Sequence, residues 1–398
     1  MKKIYTLLVL WMAAGAVLAD PITGVQPASL DQPRIFLQVR RGPGGPALSV
    51  KVEKEQTAAI EAFLDTGASG IVIADSTAKA LKLKSEQMGG KKATYEDVGV
   101  GGSEEFGVSE PLWISVAPYS SNTDGDNDAD YSRPIGPMRT QLKPGGGLLD
   151  MLTGGMDILG MPGMQGRVIV MDCRPVAKMD KIKTSLVMAG DRSIPATART
   201  VPLTYVSFAR FTRVAPAGAA GPVMAANPMI GPDPFKAGDR SSAVAGTYKG
   251  KAVRMTMLLD TGAACSMISV KKAAELGITY AADGTTLMGV PAKEQFSLDV
   301  GGIGGTKKST GFYLDLLTLP AKSGEPIVYA KAPMLVSDVT VVDPKTKQSF
   351  TLDGVFGMNF LVASANISGG LLPDVDKVVD GPFQFVVVDH ARAILGVK

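Results

Sequence analysis

Asp65-Thr66-Gly67-Ala68-Ser69 follows the apolar run Ala62-Phe63-Leu64, and Asp260-Thr261-Gly262-Ala263-Ala264 follows Met255-Thr256-Met257-Leu258-Leu259. Each stretch puts an acid at the end of a run that reads as a buried strand, then turns on Thr-Gly. One Asp-Thr-Gly is three common residues in a row and says little. Two copies inside one longer pattern say much more. Asp65–Leu83 aligns with Asp260–Ile278 without a gap, placing Ile73 on Ile268, Ala78 on Ala273, Leu81 on Leu276 and Leu83 on Ile278. After each turn the pattern predicts a short strand and then a helix. The first helix is expected from about Asp75 to Leu83, and the second has Ser269 as cap and Gly277 as stop.

The likeness continues downstream. Val98-Gly99-Val100-Gly101-Gly102-Ser103 matches Val300-Gly301-Gly302-Ile303-Gly304-Gly305-Thr306 in character, each a glycine-rich tip of an expected hairpin. Asp157-Ile158-Leu159-Gly160-Met161 pairs with Gly354-Val355-Phe356-Gly357-Met358, and the step from aspartate to that glycine is 95 residues in one half and 97 in the other. Each half closes on an apolar strand ending in aspartate, Val168–Asp172 and Phe385–Asp389. Four features in the same order read as an internal duplication. The halves are expected at 20–190 and 191–398, with the boundary near Gly190.

Composition agrees with a β-rich globular body. Of 398 residues, 45% are hydrophobic and 20% charged, with 46 Gly and 26 Pro punctuating short Val/Ile/Leu-rich runs. Ile35–Val39 and Ala47–Val52 around the 41–46 turn suggest one hairpin. A net charge of +3 without a basic stripe argues against nucleic acid as a partner. Residues 1–19 read as a signal peptide: Lys2 and Lys3, an apolar core from Ile4 to Val17, and Val17-Leu18-Ala19 before Asp20. Export to a bacterial periplasm or beyond is expected, with no membrane association after its removal and no long prosegment before the first strand. Cys173 and Cys265 both sit beside apolar runs and read as buried free thiols, although the compartment would permit a disulfide.

With one histidine in the chain, His-based zinc sites are excluded, and any Ser-His or Cys-His pair would have to use His390. His390 follows a core-like strand and reads as structural. Two inserts, 120–155 and 215–239, are expected as surface loops. The run 123–130 alternates acids like a calcium loop, but Ala129 stands where an EF-hand needs glycine and Ile135 where it needs glutamate, so it reads as a solvated acidic loop.

The chain resembles the aspartic peptidases of the pepsin/retropepsin clan. The resemblance rests on both Asp-Thr-Gly motifs, on Ile158-Leu159-Gly160 and Val355-Phe356-Gly357, on Gly357-Met358-Asn359-Phe360-Leu361 and on the Gly301–Gly305 tip. It implies a mostly β, bilobal pepsin-like acid protease fold of two related β-barrel-like lobes with short helices, each lobe like one retropepsin unit. It implies a monomeric aspartic endopeptidase acting on peptide or protein substrates, with Asp65 and Asp260 catalytic and Thr66, Gly67, Ser69, Thr261 and Gly262 supporting them. Thr66 and Thr261 would cross-link the two loops. Gly101, Gly102, Gly304 and Gly305 are the flap candidates. Tyr95 precedes the first tip at a spacing that fits the pepsin flap tyrosine poorly and reads as a strand residue.

Elementary chemistry leads to the same place. Two adjacent carboxyls cannot both ionise cheaply, so they share one proton. The charged partner takes a proton from water while the neutral one hydrogen-bonds the substrate carbonyl. That chemistry needs no metal and no cofactor. Ser69 could hydrogen-bond Asp65 and favour its ionised form, whereas Ala264 offers Asp260 nothing equivalent. A milder acid optimum than that of a dyad flanked by two hydroxyls is therefore expected. The rival reading is a catalytically inactive pepsin-like binding or inhibitor protein.

Overall fold

The computed structural model describes residues 20–52, 55–119, 131, 133–145, 155–178, 180–207, 211–218, 224–227, 229, 238–342, 349–366 and 378–398. The expected leader at 1–19 and the acidic run 123–130 lie outside the described residues. The fold is mostly β, as short β-branched runs broken by glycine and proline favour. Among the described residues the α-helices are two short ones, Asp75–Ala80 and Val270–Glu275. The first ends earlier than its apolar spacing suggested, because Lys82 turns to a left-handed φ of 53°. The second starts where expected, with Ser269 Oγ accepting from Lys272 N at 3.2 Å, and Gly277 past its end has a φ of 83°.

The two halves repeat one strand order. In the first, Arg34–Arg40, Ile60–Leu64, Asp157–Leu159, Val72–Ile73, Gln141–Leu142, Gly102–Val108 and Lys91–Gly99 are hydrogen-bonded in sequence across the sheet. In the second, Gly238–Tyr248, Lys251–Leu259, Gly354–Phe356, Met267–Ile268, Ile327–Val336, Gly305–Leu319 and Phe296–Gly302 keep the same order. In each half the strand leading into Asp-Thr-Gly pairs parallel with the strand leading into the downstream glycine. Leu64 lies opposite Leu159, and Leu259 opposite Phe356. Glycine is needed there because a Cβ on Gly160 would meet the Ala68 carbonyl at 2.6 Å, and one on Gly357 the Ala263 carbonyl at 2.8 Å. The downstream element is thus packed against the back of the catalytic-type turn.

The closing strands join the halves. Arg167–Asp172 pairs antiparallel with Phe385–Asp389, with Val170 opposite Val387, inside a five-stranded sheet. One apolar cluster runs from Leu64, Ile73, Leu159 and Met171 to Leu259, Phe312, Tyr329 and Phe360, and burial of each such side chain contributes about 1.5–3 kcal/mol. The N-terminal segment is sewn beneath the second half. Ala28–Ser29 pairs with Ser364–Ala365, and Ser29 N donates to Ala264 O at 2.9 Å.

Three loop expectations are corrected. Within 120–155, Ile135–Met138 pairs with Leu112–Ala117, and Gln141–Leu142 pairs parallel with Val72–Ile73, so this insert supplies strands of the first sheet. Part of the 215–239 insert is structured: Phe211–Pro216 adds antiparallel to Lys91–Gly99, with Val214 opposite Tyr95, and Met224–Ala226 folds back on it. Buried Val214 and Met229 pack with Tyr95, so apolar contact and an otherwise open strand edge outweigh the Ala/Pro/Gly composition. The 34–52 hairpin is also rearranged. Arg40 and Ala47 form a bridge, but Val50–Val52 pairs with Glu55–Thr57.

Candidate active site

The parallel pairings end level with each other, and this is what delivers the two turns. Asp65 N donates to Leu159 O and Asp260 N to Phe356 O, both at 3.0 Å. The threonines next in sequence are fully buried and reach across the interface. Thr66 N donates to Thr261 Oγ1 and Thr261 N to Thr66 Oγ1, each at 3.0 Å. Their hydroxyls then donate into the opposite strand: Thr66 Oγ1 to Leu259 O at 2.6 Å, and Thr261 Oγ1 to Leu64 O at 2.5 Å. Four buried bonds of this kind fix the spacing of the two loops. The glycines set how close the acids come, since a Cβ on Gly67 would stand 2.6 Å from Asp260 Cγ and one on Gly262 would overlap the Asp65 carboxyl. Gln32 Nε2, from the N-terminal segment, donates to Gly262 O and braces the second loop.

The two carboxyls are hydrogen-bonded to each other. Burial raises the Asp65 pKa, but the hydrogen bond from Asp260 and the backbone N–H groups of Gly67, Ala68 and Gly262 oppose that rise. Burial raises Asp260 well above the usual carboxylate range, and the negative charge of Asp65 and their shared hydrogen bond push it further. The pair therefore shares one proton, with Asp260 raised further than Asp65. Gly67 N donates to Asp65 Oδ1 at 2.7 Å and Ala263 N to Asp260 Oδ1 at 2.9 Å.

Ser69 corrects the sequence reading. Its hydroxyl donates to Asp97 Oδ2 at 3.4 Å rather than to Asp65. Asp97 belongs to the first glycine-tipped hairpin and also accepts from Gln141 Nε2 at 2.6 Å and from Val98 N at 2.8 Å. Backbone N–H groups, not Ser69, thus favour the ionised form of Asp65. Asp97, Gln141, Gln32 and Asp239 were not singled out from the sequence. An acid inside a hairpin next to a glycine-rich tip was the available signal for Asp97; Asp239 was hidden in a stretch read as a loop.

The four flap candidates come together. Gly101 N donates to Ile303 O at 3.0 Å, and a Cβ on Gly101 or on Gly304 would meet the other tip's backbone at 2.5 Å. Val100 packs against the buried cluster of Met267, Leu298, Leu335 and Val355, to which Val300 and Ala263 of the second half also pack. Tyr95 is buried away from the tips among Ala93, Val108, Val214 and Met229. Cys173 and Cys265 are free, and burial pushes the Cys265 thiol up to about 12. His390 is buried and its pKa falls to about 4, through burial first and then the charge of Arg240.

Among solved structures the chain is similar to the aspartic proteinase from Irpex lacteus, at 14% sequence identity and a TM-score of 0.36, over 94% of this chain and 96% of that one. No family model and no curated protein matches it.

Proposed function

We propose that the chain is an aspartic-type endopeptidase of pepsin-like, two-lobed plan that hydrolyses peptide bonds with water activated between Asp65 and Asp260. The observation that carries this reading is the hydrogen-bonded pair of buried carboxyls at equivalent ends of two duplicated turns. Asp65, the less strongly raised of the pair, takes a proton from the attacking water. Asp260, which holds the shared proton, donates it in a hydrogen bond to the substrate carbonyl. Attack gives a tetrahedral gem-diol, and proton transfer to the amide nitrogen releases the amine. The meeting tips around Gly101 and Gly304 would close over an extended peptide and bond its backbone. The leader-like 1–19 supports action outside the cytoplasm, on peptides or proteins, by a monomer that carries both acids itself.

The test is cleavage of casein and of a peptide library by the chain from Asp20 onward, with and without pepstatin, beside Asp65→Asn and Asp260→Asn. Pepstatin-sensitive cleavage, reduced about a thousandfold or more in each variant, is expected. Cleavage that survives either substitution would remove the dyad mechanism. No cleavage at any pH, with peptide binding retained, would establish the binding-protein alternative.

A further inference from the structure

We propose that Asp97 and Asp239 form an acidic subsite beside the dyad that takes a cationic side chain of the substrate, lysine or arginine. The inference rests on the peptidase reading above and gives it a substrate class. Its first ground is register. Ser241 pairs with Leu258, so Asp239, two residues before Ser241, lies at the level of Asp260, two residues after Leu258. Asp97 comes from the other half, on the hairpin whose tip meets the second half's tip, and is tied to Ser69 four residues past Asp65. The two acids thus come from different halves, and the charges of both Asp97 and Asp65 reach Asp239.

Its second ground is hydrogen bonding. Asp239 Oδ1 is buried and accepts no hydrogen bond among the described residues. Arg240, its neighbour in sequence, lowers the Asp239 pKa by its charge but makes its hydrogen bond elsewhere: Nη2 donates to His390 O at 2.8 Å and the guanidinium lies 4.8 Å from the centre of the Tyr205 ring. Asp97 has three donors, all of them neutral. A buried carboxylate oxygen without a partner costs free energy, and an ammonium or guanidinium supplies both the donors and the charge. The charges of Asp65 and Asp97 reach Asp239 and, after burial, are what raise its pKa. One cation between the acids would relieve that repulsion.

Matched peptides test this, each carrying lysine or its uncharged isostere norleucine at one position on either side of the scissile bond. The expected lysine-to-norleucine ratio of kcat/KM is about tenfold or more at one position. It should fall to about one in Asp239→Asn and fall also in Asp97→Asn. Calorimetric binding of the same peptides to Asp260→Asn reads the preference without turnover. A lysine preference in binding with no proteolysis by the parent chain would retain the subsite and remove the peptidase. Proteolysis with no preference at any position, or a ratio unchanged in Asp239→Asn, would overturn the subsite. If Asp239→Asn fails to fold by circular dichroism, the ratio in Asp97→Asn decides: unchanged, it refutes the proposal.

Discussion

Thr66→Val keeps the shape of the side chain and removes its hydroxyl. Two bonds go with it: the one donated to Leu259 O at 2.6 Å and the one accepted from Thr261 N at 3.0 Å. Both former partners stay buried, because Thr66 and Thr261 are fully enclosed. An orphaned buried group costs about 1–3 kcal/mol, so the substitution should cost about 2–6 kcal/mol. That is a large share of a typical stability of about 5–15 kcal/mol. Thr66→Ser is the control, since it keeps both bonds and loses one methyl, about 1 kcal/mol. Urea unfolding of the three proteins gives the ranking. The same bonds set the distance between the carboxyls, and misplacement by about 1 Å is worth about a hundredfold in rate. Thr66→Val should therefore lose about that much kcat on any peptide the parent cleaves, with Thr66→Ser near the parent. A stability within about 0.5 kcal/mol of the parent, the range of an inconsequential surface change, would refute the reasoning.

Thr261→Val removes the two remaining bonds, and combined with Thr66→Val it should cost less than the sum, because loops freed by the first change no longer hold the second pair in place; a double-mutant cycle measures this. Asp157, whose carboxyl accepts from Ala74 N and Thr77 Oγ1, is raised to about 6 by burial. Its folded pKa lies above the unfolded value of about 3.9, so the stability it contributes is full below the unfolded value and is lost as pH rises through about 6. Asp157→Asn should flatten that decline, worth about 3 kcal/mol at most, in urea unfolding at mildly acid and neutral pH; an unchanged pH slope would count against it. Ser69→Ala should leave the acidic limb of the pH–rate profile in place, and a shift of about one unit would return Ser69 to Asp65. Gly262→Ala should abolish activity while the fold persists by circular dichroism, and near-parental turnover would mean the loops are not as close as described.

Much of this architecture is legible in the sequence because duplication writes each element twice. The order of Asp-Thr-Gly, glycine tip, downstream glycine and closing strand anticipates two sheets of the same strand order, even where each motif alone is weak. The closing strands gave no hint of pairing with each other, since Val168–Asp172 and Phe385–Asp389 read only as buried strands and their partner is a matter of topology. The Phe211–Pro216 strand was missed for a different reason. Ala, Pro and Gly dominate the residues after it, and only the open edge of a hairpin far away in sequence makes it a strand. Ser69 shows the limit at the level of a single atom. Proximity along the chain suggested Asp65, but the hydroxyl faces the hairpin, where Asp97 is the acceptor.

The same contacts explain how a duplicated pair comes to be unequal. In the first loop, the side chain of Ser69 connects to Asp97 and so to the hairpin that carries Gly101. In the second, Ala264 has no such side chain, and its carbonyl instead accepts from Ser29 N, while Gln32 holds Gly262 O. The second loop is thus fixed to a segment sewn into the fold, and the first is coupled to a hairpin whose tip meets the tip of the second half. Of the two acids, the one on the fixed loop, Asp260, is raised further, by burial and the charge of Asp65. Backbone donors favour charge on both acids, and Asp65 is raised less than Asp260. Under the proposed mechanism, any movement of the tips would act on the loop of Asp65 through Ser69 and Asp97, and not on the loop of Asp260. The division of labour comes from what each loop touches outside the repeated motif, not from the motif itself.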